Sequence, residues 1–406
     1  MAFLIVAAGC GSGVVAPAPP PAFWNSLTPG PYAVGFRVLY QRDRTRPWGG
    51  APGADGSDLG RPIRISLWYP ADSASADLHQ MTYGDYLRHD GPSGLHEFNE
   101  LLDRMDMESW LADMQELTPP GQPMLDRLLA TPTAAYRDAP QARGRFPLVL
   151  YSGGKGSRAD DNVELGEFLA GHGYMVAVVP QLGPSPDEPA LGSSAGEIAM
   201  HADDFDAALA ALHQVPGVAF DRIAAAGHSA GGEAALELAL RHPEVRAVIG
   251  LDASYGMVGG ARVCRELPGY APGREIDAAL LDLRRSEGAQ GVKLDLESID
   301  SLQWSDVYRG LFENAYHGDF TEWGMIAWKL SIPMPQNPYG HTRQIGVQVN
   351  RTACRAVVDF LDARLGGRPE ALQDLQRTLD GESGVHYSHQ GSTAPPSPPA
   401  AGSSPE

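Results

Sequence analysis

The sequence predicts an α/β domain built on a doubly wound, mostly parallel sheet with helices on both faces. Three observations predict it. From Phe146 onward short apolar runs alternate with helical segments, as "FPLVLYSGG", "DNVELGEFLAGHG", "YMVAVVP", "AGEIAMHADDFDAALAALHQV", "RIAAAGHS", "AGGEAALELALRH" and "VRAVIGLDASYG", and strands alternating with helices are parallel strands joined by crossovers. The composition, 43% hydrophobic and 20% charged, is that of an ordinary globular chain and leaves enough apolar residues for a sizeable core. Finally, Gly153-Gly154, Ser229 and Asp252 fall at carboxyl ends of these strands, where open α/β sheets carry their chemistry.

The N-terminal stretch "MAFLIVAAGCGSGVVAPAPPPAFW" has a short apolar run, then Gly9-Cys10, then small residues and proline. It resembles the end of a bacterial lipoprotein signal, with Cys10 as the residue to be lipidated, although no Lys or Arg precedes the run. On that reading residues 1–25 are signal and linker, and the protein is exported to the periplasm or cell envelope, attached to membrane through Cys10. Read as a loose apolar end, the same stretch leaves the protein in the cytoplasm.

"YAVGFRVLYQRD" and "RPIRISLWYPA" alternate as two strands, expected as a hairpin-like pair at a sheet edge. Residues 95–117 place Phe98, Leu101, Leu102, Met105 and Leu111 at helical spacing, within a helical insertion of about 85–130. This segment is either a cap over a site or plain packing. "EIDAALLDLRRS" and "DVYRGLFENAY" are weaker strand patterns, and "NRTACRAVVDFLDARL" is a closing helix. A single domain is therefore expected over 26–370, followed by a low-complexity tail at 381–406 that need not fold.

With 31 basic against 50 acidic residues the formal charge is −19, which argues against nucleic acid or anionic membrane surfaces as the main partner. Besides Cys10 only Cys264 and Cys354 remain; export would allow a disulfide between them, the alternative is two unpaired cysteines with one of them buried, and their spacing fits no zinc pattern. "GGKGS" lacks the Gly-Lys-Ser/Thr of a phosphate loop, since Gly156 follows Lys155. With no metal cluster or nucleotide fingerprint in the pattern, no cofactor is implied.

The chemistry lies in "DRIAAAGHSAGGEAALELAL". A short apolar strand meets a run of helix formers, so the chain turns sharply at "GHSAGG". In such a G-x-S-x-G turn the hydroxyl of Ser229 is pushed outward, and Gly227 and Gly231 remove side chains that would clash. A serine hydroxyl is a poor nucleophile at neutral pH and needs a base, itself oriented by a carboxylate. Asp252 and His317 follow in the order nucleophile, acid, histidine.

Together "RPIRISLWYPA", "FPLVLYSGGKG", "FLAGHGYMVAVVP", "AAGHSAGGEAALEL", "AVIGLDASYG" and "AYHGDFTEW" resemble the platelet-activating-factor acetylhydrolase family and its bacterial dienelactone-hydrolase-like relatives, from about Arg61 to His317. The resemblance implies an α/β-hydrolase fold, with Ser229 as nucleophile, Asp252 in the L-D-x-x pattern as acid and His317 in H-x-x-F-[ST] as base. It also implies an oxyanion hole from the backbone N–H groups of Ala230 and Lys155. Where the family carries His or Pro, this chain has Gly153.

Rivals stand beside these assignments: Asp282 as the acid, His341 as the base, and His228 as a packing residue beside the nucleophile. His386 and His389 lie in the tail, outside the expected chemistry. The expected function is serine carboxylic ester hydrolysis on short-chain or lipid-type esters. Thioester or polyester cleavage on the same three residues, or acyl-ligand binding without turnover by a surface lipoprotein, are the alternatives.

Overall fold

The computed structural model describes residues 24, 27–49, 60–72, 78–89, 91–117, 122–157, 161–329, 331 and 340–391. Cys10 and its lipidation, with most of the 1–25 segment, lie outside the described residues, as do 392–406.

The strands are β1 (Ala33–Asp43), β2 (Arg61–Ala71), β3 (Gln80–Thr82), β4 (Pro132–Arg137), β5 (Phe146–Ser152), β6 (Met175–Val178), β7 (Leu182–Ser185), β8 (Glu188–Ala190), β9 (Val218–His228), β10 (Val245–Leu251), β11 (Glu275–Arg285), β12 (Gln303–Phe312) and β13 (Val385–Gly391). The helices are α1 (His96–Leu117), α2 (Gln122–Leu129), α3 (Val163–Gly171), α4 (Ala195–Leu212), α5 (Gly231–Arg241), α6 (Val258–Arg265), α7 (Glu297–Asp300), α8 (Trp323–Lys329), α9 (Arg343–Arg364) and α10 (Ala371–Asp380). Eleven strands form one sheet in the order β13-β12-β11-β10-β9-β5-β6-β2-β1-β4-β3, while β7 and β8 pair separately.

From β6 through β12 all neighbours are parallel. β5, β6, β10 and the second half of β9 read as near-continuous apolar runs because both faces are covered by helices, whereas β12 is mixed. Val149, Tyr151, Val176, Ala224 and Ile249 point to one side and pack with Phe168 of α3 and Val357 and Leu361 of α9. Leu148, Leu150, Met175, Ala225 and Val248 point to the other, against Phe205 and Ala208 of α4 and Leu236 of α5. The doubly wound reading of the sequence therefore describes the core.

Three expectations are corrected. β1 and β2 do pair antiparallel, from Ala33↔Ala71 to Asp43↔Arg61. They are interior strands, however, because β4 and β3 extend the sheet beyond β1. The tail folds in part: Val385–Gly391 adds an antiparallel edge strand to β12, from Asp306↔Gly391 to Phe312↔Val385, with His389 stacked on Tyr308. Cys264 and Cys354 are both free and buried. They sit in the two core layers on opposite sides of the sheet, so no bridge joins them.

Buried carboxylates stitch the flanking segments to the core. Glu167 of α3 accepts hydrogen bonds from Trp24 Nε1 at 2.9 Å, from Tyr86 Oη at 2.8 Å and from the N–H groups of Ala134 and Ala135. Trp24 is 2% exposed, so the domain begins before residue 26. Arg61 of β2, also buried, donates to both carboxylate oxygens of Asp204 and to the carbonyls of Leu182 and Gly183.

Glu233 on α5 is the contrasting case, since it is 1% exposed and its Oε2 has no partner among the described residues. Burial alone pushes its carboxyl up to about 8. A carboxyl raised in the folded state favours folding fully below its ordinary value of 4.5 and loses that contribution as pH rises through about 8. Glu233→Gln is therefore expected to raise the thermal midpoint over wild type progressively between pH 4.5 and 8, with no gain below 4.5. Parallel midpoint curves for the two proteins across that range would refute the assignment.

Candidate active site

Ser229 stands between β9 and α5 with φ +53, the left-handed region that residues with a Cβ avoid. The flanking glycines make that turn feasible. A Cβ on Gly227 would overlap the backbone of Gly231, one on Gly231 would overlap the carbonyl of Ser152, and one on Gly232 would overlap the Ala253 side chain. Gly154 brings the loop after β5 alongside Ser229, so close that a Cβ on it would fall 3.0 Å from Ser229 Cβ.

Asp252 follows the last residue of β10 and also has a positive φ, +44. Its Oδ2 accepts from His317 Nδ1 at 2.5 Å and from Arg285 Nε at 2.6 Å, while Oδ1 accepts from the Arg285 N–H at 3.1 Å. Burial opposes ionisation of this carboxyl, and the His317 hydrogen bond, His317 charge and Arg285 outweigh it, holding it at about 2. Donation from Nδ1 leaves the Nε2 lone pair of His317 free to accept a proton. The His317 side chain is 33% exposed, so its ring is open to solvent.

The loop of His317 is gripped from several sides. Its N–H donates to Gln290 Oε1 at 2.9 Å, and the same oxygen accepts from Arg285 Nη1 at 2.6 Å. Its carbonyl accepts from His228 Nε2 at 3.0 Å, and the two imidazoles lie 4.4 Å apart. Burial first, then the charge of His317, lowers His228 to about 3, which keeps it neutral and fits the packing role expected of it.

Ser229 Oγ has Ser254 Oγ at 3.4 Å as its polar neighbour, and no hydrogen bond to His317 is formed among the described residues. Hydrogen bonds between nucleophile and base are often long without substrate and tighten on binding. The Ala230 and Lys155 N–H groups have no backbone acceptor among the described residues. Ala230 also caps the N-terminus of α5, where the helix dipole favours negative charge. At Gly153 a Cβ would come 2.7 Å from Asp161 Oδ2 and 2.9 Å from Ser157 Cβ, so neighbouring side chains fill that space. Gln181 Nε2 ties the Gly153 carbonyl at 2.6 Å.

The rival residues are occupied elsewhere. Asp282 is buried and engaged by Arg284, Arg309 and Tyr255. His341 Nε2 lies 2.8 Å from Asp319 Oδ2, and its ring stacks on Tyr316 at 4.0 Å. It braces the His317 loop from behind. His386 and His389 sit on the edge strand β13. Helix α1 is anchored by Arg64 of β2, which donates to Asp103 at 2.8 Å and Asp106 at 2.6 Å, and Phe98 meets Trp48 edge-on. These contacts fit the packing reading of the segment.

Sequence reasoning missed Arg285, Gln290 and Ser254. The available signal was "LRRS": two adjacent arginines at the end of a buried strand each require a carboxylate, and strand alternation sends Arg284 to Asp282 and Arg285 to Asp252.

A chlorophyllase family model matches residues 125–274, a stretch that includes Ser229 and Asp252. Among solved structures, a ferulic acid esterase from Streptomyces cinnamoneus superposes with a TM-score of 0.57 at 20% identity, covering 90% of this chain and 97% of that one. The fold is that of the α/β-hydrolases. No curated protein matches the chain. At 20% identity the structural likeness speaks to the fold, and the family model spans residues 125–274; neither reaches the finer platelet-activating-factor acetylhydrolase grouping suggested by the motifs.

The geometry sets Asp252 and Asp282 apart. Asp252→Asn is expected to lower kcat/KM for an ester by about 10⁴-fold, as loss of the orienting carboxylate does in such triads. Asp282→Asn should lower the thermal midpoint while leaving kcat within a few-fold. Equal kinetic losses in the two variants would contradict the assignment of the acid.

Proposed function

We propose that the protein is a serine carboxylic ester hydrolase that works through an acyl-enzyme. The observation that carries the reading is the bond of 2.5 Å from His317 Nδ1 to the buried Asp252 carboxylate, next to a serine held at φ +53. His317 Nε2 takes the Ser229 proton as Oγ attacks the ester carbonyl. The resulting oxyanion meets the N–H groups of Ala230 and Lys155, donors worth about 2.7–4 kcal/mol apiece in related chemistry. Collapse expels the alcohol, which takes the proton from His317. Water, deprotonated in turn by His317, then releases the acid.

Substrate preference follows from the expected kinship: short-chain or lipid-type esters, with thioesters and polyesters open to the same machinery. The N-terminal stretch supports an exported protein lipidated at Cys10. A fluorophosphonate should label wild type and not Ser229→Ala. A p-nitrophenyl ester series from acetate to palmitate should release p-nitrophenol with wild type alone, its optimum bounding the acyl pocket. Binding of acyl ligands with neither labelling nor turnover would favour a non-catalytic role and end the hydrolase reading.

A further inference from the structure

The geometry points to Arg285 and Gln290 as positioning residues that hold the catalytic base in register, an inference that rests on the serine-hydrolase reading above. An acid-base-nucleophile triad needs only a carboxylate on Nδ1. Here the carboxylate is itself clamped. Arg285, at the end of the neighbouring strand β11, grips both Asp252 oxygens, through Nε at 2.6 Å and through its backbone N–H at 3.1 Å. Rotation of the Asp252 carboxylate would break one or both bonds.

The clamp continues to the base. Arg285 Nη1 donates to Gln290 Oε1 at 2.6 Å, and that oxygen also accepts from the His317 N–H at 2.9 Å. A closed ring of hydrogen bonds thus runs from Asp252 to Arg285, Gln290, the His317 backbone, the His317 ring and back to Asp252. His228 Nε2 on the His317 carbonyl supplies a third hold from β9. The base sits at the start of a short helical turn, His317–Phe320, on a side chain one-third exposed, so its orientation depends on such external holds.

The backbone at Gln290 supports the same role. Gln290 has φ +50 and lies between Gly288 at φ 81 and Gly291 at φ 72. A side-chain-bearing residue kept in this region is characteristic of sites where the surrounding structure demands one side-chain placement. Gln290 is itself exposed, so core packing does not explain it. Neither Arg285 nor Gln290 hydrogen-bonds Ser229, and both act through His317.

Because Arg285→Ala strands a buried carboxylate and can unfold the chain, the exposed Gln290→Ala carries the test, with Arg285→Lys as its companion. The readouts are the second-order rate of fluorophosphonate labelling at Ser229, and kcat and KM on p-nitrophenyl acetate. Gln290→Ala should cut labelling and kcat about tenfold with KM and the thermal midpoint unchanged. Arg285→Lys keeps the charge but loses the forked donor, and should fall about 10²-fold, the scale expected for a misplaced catalytic group. If Arg285→Ala folds, added guanidinium should restore part of its labelling rate.

Gln290→Ala labelling at the wild-type rate, or a loss confined to KM, overturns the inference and leaves the hydrolase reading intact. Absence of labelling in wild type instead overturns that reading, and this inference with it.

Discussion

The chain must cross from β9 into α5 within a turn so tight that Ser229 adopts φ +53, and the rest of the site is arranged around that turn. A residue with a Cβ in this region costs about 1–3 kcal/mol, which persists only where neighbours over-determine it. Here the neighbours are the β5 carbonyls against Gly231, the backbone of the α5 entry against Gly227, and the Ala253 side chain against Gly232. The same close packing leaves Gly154 of the loop after β5 beside Ser229. Asp252, just past the end of the adjacent strand, also has a positive φ, +44.

Environment, more than residue type, decides which buried acids carry charge. Asp252 faces a histidine and a guanidinium and stays ionised, whereas Glu233, about one helical turn behind the nucleophile, is desolvated without a compensating cation and takes up a proton near neutrality. Glu167 is also raised by its burial, while its hydrogen-bond donors oppose the shift. On a chain of formal charge −19, neutralising some interior carboxyls and pairing others lets so acidic a sequence close a compact core.

The parallel centre was legible because burial on both faces leaves uninterrupted apolar runs, and the elbow was legible because glycine spacing records a steric demand. Ser229, Asp252 and His317 could be proposed as a set from order and flanking residues, and the structure sets His317 against Asp252. What escaped were elements without such local signatures. β3 and β4 are short and lie near the sheet's margin, and β13 reads as polar tail because one of its faces meets water. Arg285 and Gln290 escaped for another reason: each is defined by a partner brought near only when β10, β11 and the His317 loop are assembled. The disulfide expectation failed on the same ground, since spacing along the chain does not reveal which side of a sheet a cysteine takes.

The strand β13 has a consequence for how the sheet ends. By pairing along Asp306 to Phe312 it converts β12 from a terminus into an interior strand, and it presents to solvent an outer rim carrying His386, Ser388 and His389. Polar, partly chargeable rims discourage other chains from extending a sheet. A chain stopped at Asp380 would uncover the β12 ladder, and with it Val307, Tyr308 and Phe312. The C-terminal segment is therefore the selvedge of the sheet, its last woven strand rather than a trailing end.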